Sequence, residues 1–167
     1  ISLGGIVTAT DADGDTVTAA AGGLVVTVDD DTPTASAALL TGTVDEDGVG
    51  GGIAGGIGDV AGAATIASGS VSSLFNSGAD APLTYALSLT TVATLTALNL
   101  TSAGTALTYS VAGDIVTASA NGGAVFTFQL TAAGAWTFTL IDQLDHAQGA
   151  DENDLLISLG GIVTATD

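Results

Sequence analysis

The phrase ISLGGIVTATD stands at Ile1–Asp11 and again, without a change, at Ile157–Asp167. An identical run of that length does not arise by chance, and self-similarity at a fixed period marks a tandem array. The sequence therefore reads as one period of an array of near-identical repeats, with a short overlap. The strongest punctuation between the two copies is DDDTPTAS at 29–36, where Pro33 has no N–H to give to a β-ladder and Thr and Ser surround it. A boundary placed there makes residues 1–31 the C-terminal β-hairpin of a preceding repeat, entered out of register. Residues 32–36 become a linker, and residues 37–167 the next β-sandwich, without its own last strand.

Alternation with period two fills most of the remaining chain. Leu83, Tyr85, Leu87 and Leu89 alternate with small or polar residues. The same holds for Leu107, Tyr109 and Val111, for Phe126, Phe128 and Leu130, and for Trp136, Phe138 and Leu140. Leu155, Ile157 and Leu159, and Leu24, Val26 and Val28, repeat the pattern. Turn signals separate these runs: AGD at 112–114, NGG at 121–123 and AAGA at 132–135. The expected first strand of the new domain lies at Ala38–Val44, and VSSLF at 71–75 reads as a single helical turn. No long segment has helical periodicity. The chain is all-β, an antiparallel sandwich of about eight to ten strands. The glycine-rich run GVGGGIAGGIGDVAG at 48–62 contains a GxGxxG, but strand-like segments flank it rather than a βαβ frame, so it reads as a loop.

Charge narrows the function classes. The chain has 18 Asp and Glu against no Lys or Arg, which repels nucleic acid and anionic membrane surfaces. No apolar run approaches the roughly 18 residues of a membrane span. Cysteine is absent, which removes disulfides, thiolate metal sites and cysteine nucleophiles. With one His, no Cys and no Lys, only carboxylate chemistry would be left to an enzyme, and the expectation is that there is none.

The acids are clustered rather than spread. Asp11, Asp13 and Asp15 form one group; Asp29, Asp30 and Asp31 a second; Asp45, Glu46 and Asp47 a third. Asp142, Asp145, Asp151, Glu152 and Asp154 form the last. Without a basic side chain to pair with, such groups suit a hard cation. Ca²⁺ accepts roughly six to eight oxygens in flexible geometry, and a solvated acidic loop is the alternative. DADGD opens like an EF-hand loop, but the twelfth position from Asp11 is Gly22, not Glu, and no helix pattern follows. It reads instead as a tight turn between strands whose side chains ligate a cation. His146, in the acidic loop, is expected to be solvated or to stand behind the ligands. Strand direction places Asp45–Asp47 and the 142–154 loop at one pole of the sandwich. It brings Asp29–Asp31 of one unit near the Asp11–Asp15 turn of the next.

The segments ATDADGDTVTAAAGGLVVTVDDDTPTA, VDEDG, GGIAGGIGDVAG, LFNSGADAPLTY and WTFTLIDQLDHAQGADEND together resemble the tandem extender repeats of giant, type I-secreted RTX adhesins of Gram-negative bacteria. The resemblance covers nearly the whole chain. It implies an immunoglobulin- or cadherin-like sandwich, calcium near the linkers, and an extracellular, outer-membrane-anchored protein that projects a distal ligand-binding domain for adhesion and biofilm formation. The nonapeptide GGxGxDxUx of such proteins is not met, because Gly55–Ala63 places Asp59 one position early. The partners implied are neighbouring repeats, head to tail; the missing last strand of residues 37–167 leaves two completions, by the chain's own N-terminal hairpin or, preferred, by strand exchange between molecules of the isolated unit. A calcium-dependent glycan-binding sandwich is the second reading. It finds no aromatic platform, since Trp136 alternates with the core set.

Overall fold

The computed structural model describes residues 1–50, 64–147 and 154–167. The chain divides into two compact units, Ile1–Asp31 and Thr32–Asp167. The GxGxxG at 50–55, the nonapeptide-like stretch at 55–63 and the acids Asp151 and Glu152 lie wholly or mostly outside the described residues.

The first unit is a small antiparallel ribbon. A 3₁₀ turn at Gly4–Ile6 leads into β1 (Thr8–Thr10), which pairs with β2 (Thr16–Thr18), Ala9 facing Val17. The ribbon continues past the turn: the Leu3 N–H donates to the Leu24 carbonyl at 2.8 Å and the Val26 N–H to the Ile1 carbonyl at 2.9 Å, with Ser2 bridging Val25. Of the strand expected at 24–28, Leu24–Val26 pair in this way as an isolated bridge and no extended strand forms. Ala20–Gly23 fold over Gly4, where a Cβ would overlap the Ala20 carbonyl oxygen and lie 2.7 Å from the Gly23 nitrogen. Only glycine admits this approach.

The second unit is built on one five-stranded antiparallel sheet. Its strands are β4 (Ile66–Ser70), β9 (Thr108–Ala112), β10 (Ile115–Ala120), β11 (Gly123–Leu130) and β12 (Ala135–Leu140), ordered β4-β12-β11-β10-β9. Hairpin chemistry sets the order. Asn121 and Gly122 both take positive φ, 52° and 82°, as a two-residue type I′ turn between β10 and β11 requires. Alternation then puts Phe126, Phe128 and Leu130, with Val116, Ala118, Phe138 and Leu140, on one buried face. The Phe126 and Phe138 rings stack at 5.0 Å between centroids.

Smaller elements complete the unit, Phe75, Leu87, Val163 and Ala165 among them packing against the core. They include β3 (Thr34–Ala35), paired with β5 (Phe75–Asn76); β6 (Thr84–Leu87), paired with β13 (Val163–Thr166); and β7 (Thr101–Ser102), paired with β8 (Thr105–Ala106). Between β6 and β7, α1 (Thr91–Thr96) inserts Leu95 into the core; Leu95, Leu107, Tyr85 and Ile162 close it. A 3₁₀ turn at Ser72–Leu74 matches the helical turn expected at 71–75. Strands dominate and helix is scarce, in several antiparallel sheets, so the chain is all-β. Among the described residues no helix is long and apolar enough to cross a membrane.

Three expectations are corrected. Residues 38–44 form no strand: the adjacent Leu39 and Leu40 break the two-residue period and both are exposed, and the stretch runs irregularly, with a Cβ placed on Gly42 lying 2.8 Å from the Trp136 ring. The expected linker carries β3, because Thr34 and Ala35 find an edge partner in Asn76 and Phe75. Leu155, Ile157 and Leu159 pack against the core without belonging to a strand.

Candidate metal centre

The turn between β1 and β2 is organised by Asp11. Its Oδ1 accepts from the Asp15 N–H at 2.9 Å and the Gly14 N–H at 3.2 Å, and its own N–H donates to the Asp15 carbonyl at 3.0 Å. Gly14, at φ 103°, supplies the left-handed residue that lets the chain reverse within five positions. The result places carboxylate oxygens of Asp11, Asp13 and Asp15 within 4.8 Å of one another, all exposed. The Asp11 carboxyl is held below the ordinary carboxylate range, first by a side-chain hydrogen bond with Asp13 and then by the Asp15 and Gly14 N–H groups. This group could hold a metal ion. β2 follows it rather than a helix, in keeping with a turn between strands and not an EF-hand.

The other acidic groups do not converge in this way among the described residues. Asp29, Asp30 and Asp31 are exposed at the end of the first unit. Asp45 caps a 3₁₀ turn at Glu46–Gly48, its Oδ1 accepting from the Asp47 N–H at 2.8 Å. Glu46 ties that turn to the acidic loop: its Oε1 accepts from the Leu144 N–H at 2.7 Å and lies 3.2 Å from His146 Nε2. The loop and the Asp45–Asp47 turn thus meet, through one Glu and the single His. Asp142 Oδ1 accepts from the Gln143 N–H, and Asp154 is exposed.

Asp145 fastens another turn. Its Oδ2 accepts from the Gly104 N–H at 2.8 Å while its N–H donates to the Thr101 carbonyl at 2.8 Å. A side-chain hydrogen bond with Thr101, then the Gly104 N–H, lowers its carboxyl pKa. Asp114, outside the clusters, accepts from Gln129 Nε2 at 2.8 Å beside the β9–β10 turn. The signal that could have found it is the hairpin register, which sets the 113–114 turn beside Gln129, the cross-strand partner of Ile115. In comparisons with known proteins, no family model, no curated protein and no solved structure matches this chain.

Proposed function

We propose that this chain is a spacer repeat of a bacterial cell-surface adhesin: an immunoglobulin-like sandwich unit in a tandem array, stiffened by Ca²⁺, that carries a distal binding domain away from the cell. The observation that carries the reading is the Asp11–Asp13–Asp15 turn, three carboxylates brought together in a chain with no Lys or Arg. The residues fit a hard cation. Asp11 Oδ1 is already turned to backbone N–H donors, which fixes the loop. The remaining carboxylate oxygens of the three residues supply an all-oxygen set of the kind Ca²⁺ takes. Bound Ca²⁺ supplies the positive charge that this turn otherwise lacks. The chain's own part is mechanical: Asp11 holds the turn closed, and Asp13 and Asp15 present charge at one end of the ribbon.

Low calcium before export and high calcium outside would couple binding to folding. Absence of Cys suits such folding, because no oxidation is needed. The test is calorimetric titration of the full chain with Ca²⁺, alongside thermal melting in calcium and in chelator. Heat of binding that is lost on Asp13→Asn, with a melting rise in calcium, is expected. Identical melting in both buffers and no heat of binding would refute the reading.

A further inference from the structure

Because the eleven residues 1–11 and 157–167 are identical, any difference in their surroundings isolates what one copy has and the other lacks. Their backbones agree closely. Leu3 and Leu159 have φ/ψ of −112°/−1° and −106°/−8°, and Val7 and Val163 of −96°/123° and −102°/132°. Their environments do not agree. Ile162 is 0% exposed in the core of the second unit, whereas Ile6 is 76% exposed. The glycines reverse the relation: Gly4 lies beneath Ala20–Gly23, whereas a Cβ on Gly160 would meet nothing within 4 Å.

The two copies also use opposite edges of the same strand. The Ile162 carbonyl accepts from the Ser88 N–H, next to β6, whereas the Val7 carbonyl accepts from the Ala19 N–H, just past β2, both at 2.8 Å. Successive strand residues point their carbonyls to opposite sides. A strand of this sequence can therefore hold both partners at once. Among the described residues β13 has β6 as its hydrogen-bonded neighbour, and β1 has β2.

We infer that the second edge of β13 is a docking site for another copy of this chain's segment Ala12–Val28, taken in the register that β2 and Leu24–Val26 hold against the first copy. The inference rests on the tandem-repeat reading and not on calcium. Thr18, Val17 and Thr16 of the incoming copy pair with Thr164, Ala165 and Thr166, as they do with Thr8, Ala9 and Thr10. Directly opposed residues share a face of the sheet. Val17 faces Ala9, whose counterpart Ala165 packs against the core. Leu24 and Val26 lie beside Leu3 and Ile1, whose counterparts Leu159 and Ile157 also pack against it. Three side chains now 68%, 47% and 44% exposed thus share the core-facing side of the joint. The incoming Ala20–Gly23 turn covers Gly160 as it covers Gly4. When the donor is a second molecule, β2 leaves β1 for a strand of identical sequence, so the ladder is conserved and apolar cover is gained.

The test compares the full chain with the same chain extended beyond Asp167 by a second copy of residues 12–31. Calorimetry and amide exchange are run on both, in calcium and in chelator. The extension should raise the melting temperature by roughly 5 °C or more. It should also slow exchange at the outward amide of Ala165 by about tenfold or more, whereas the Val163 N–H, already given to the Gly160 carbonyl, is no reporter. Gly160→Ala should abolish both effects in the extended chain, because its Cβ would strike the docked turn. In the dilute unextended chain the same substitution should leave melting unchanged. Concentrated unextended chain should associate, and the extension should suppress the association. The inference falls if extension changes neither quantity in either buffer, or if the Gly160→Ala chain keeps the full gain. Protected β13 amides in an unextended chain that stays monomeric would show closure on its own hairpin, and would overturn the assignment to a second copy. A calcium effect on the unextended chain bears on the metal centre alone, so the two readings can fail separately.

Discussion

The two copies of the repeated phrase allow one substitution to be made twice in the same local sequence. Ile162→Ala removes three carbons from a side chain that has no exposed surface and belongs to the same buried cluster as Leu95, Tyr85 and Phe126. Core Ile→Ala changes cost about 2–5 kcal/mol, combining lost transfer energy with the cavity left behind. Full burial and a rigid sheet behind the site argue for the middle of that range, about 3 kcal/mol, since little can collapse into the void. For a unit of this size that lowers the melting temperature by on the order of 10 °C. Ile6→Ala makes the same change where the side chain is 76% exposed. Surface changes of that kind fall within about 0.5 kcal/mol of zero. Helix and strand propensity, turn residues and unfolded-state effects are nearly the same at both positions, so they cancel in the comparison. Differential scanning calorimetry of the two variants covers the whole chain, while fluorescence of Trp136, the only tryptophan, follows the second unit. Equal losses at the two positions, or a loss below about 1 kcal/mol for Ile162→Ala, would refute the assignment of burial.

Phe126, fully buried and stacked on Phe138, should lose about 3–5 kcal/mol of stability on Phe126→Ala, read by urea unfolding. Gly134 has φ 86° and would place a Cβ 2.9 Å from the Tyr85 ring. Gly134→Ala should therefore cost about 1–3 kcal/mol, whereas Gly104→Ala, also at positive φ but in open space, should cost less in the same assay. Asp145 has its carboxyl pKa lowered from 3.8 by Thr101 and the Gly104 N–H. A depressed folded-state pKa contributes stability above the unfolded-state value and loses it as pH falls through the folded value. The stability difference between parent and Asp145→Asn should be flat at neutral pH and shrink below about pH 4, and a difference that instead grows on acidification would contradict the assigned hydrogen bonds.

What could be read from the sequence follows from how local each determinant is. The β9–β10, β10–β11 and β11–β12 hairpins were legible because Gly113, Asn121, Gly122 and Gly134 are needed at positive φ, and the apolar period between them is strict. The Asp11–Asp15 turn was legible for the same reason, with Gly14 at its apex. Ala38–Val44 was not. Leu39 beside Leu40 breaks the two-residue period, and the packing of Gly42 against the Trp136 ring joins residues far apart in the chain. Nor was α1: Thr and Val are poor helix formers, and the segment is helical because Leu95 must reach the core in the space between β6 and β7. The link from Glu46 to Leu144 and His146 depends likewise on tertiary packing. Clustering of acids alone could not separate the group that converges on one point from those spent on capping turns.

The repeated phrase separates these two kinds of determinant within one molecule. Its 3₁₀ turn and strand recur with nearly the same dihedral angles in both copies, so eleven residues suffice to set that backbone. They do not set burial. Nothing around Ile6 explains why the sixth position is a large apolar residue, and nothing around Gly160 explains why the fourth is a glycine. Each choice has its reason at the other copy: Ile162 fills the core, and Gly4 admits the Ala20–Gly23 backbone. A phrase answering to only one environment would be free to differ at the position the other environment uses. Residue-for-residue identity is what a strand requires when it carries a core on one side and a following hairpin on the other.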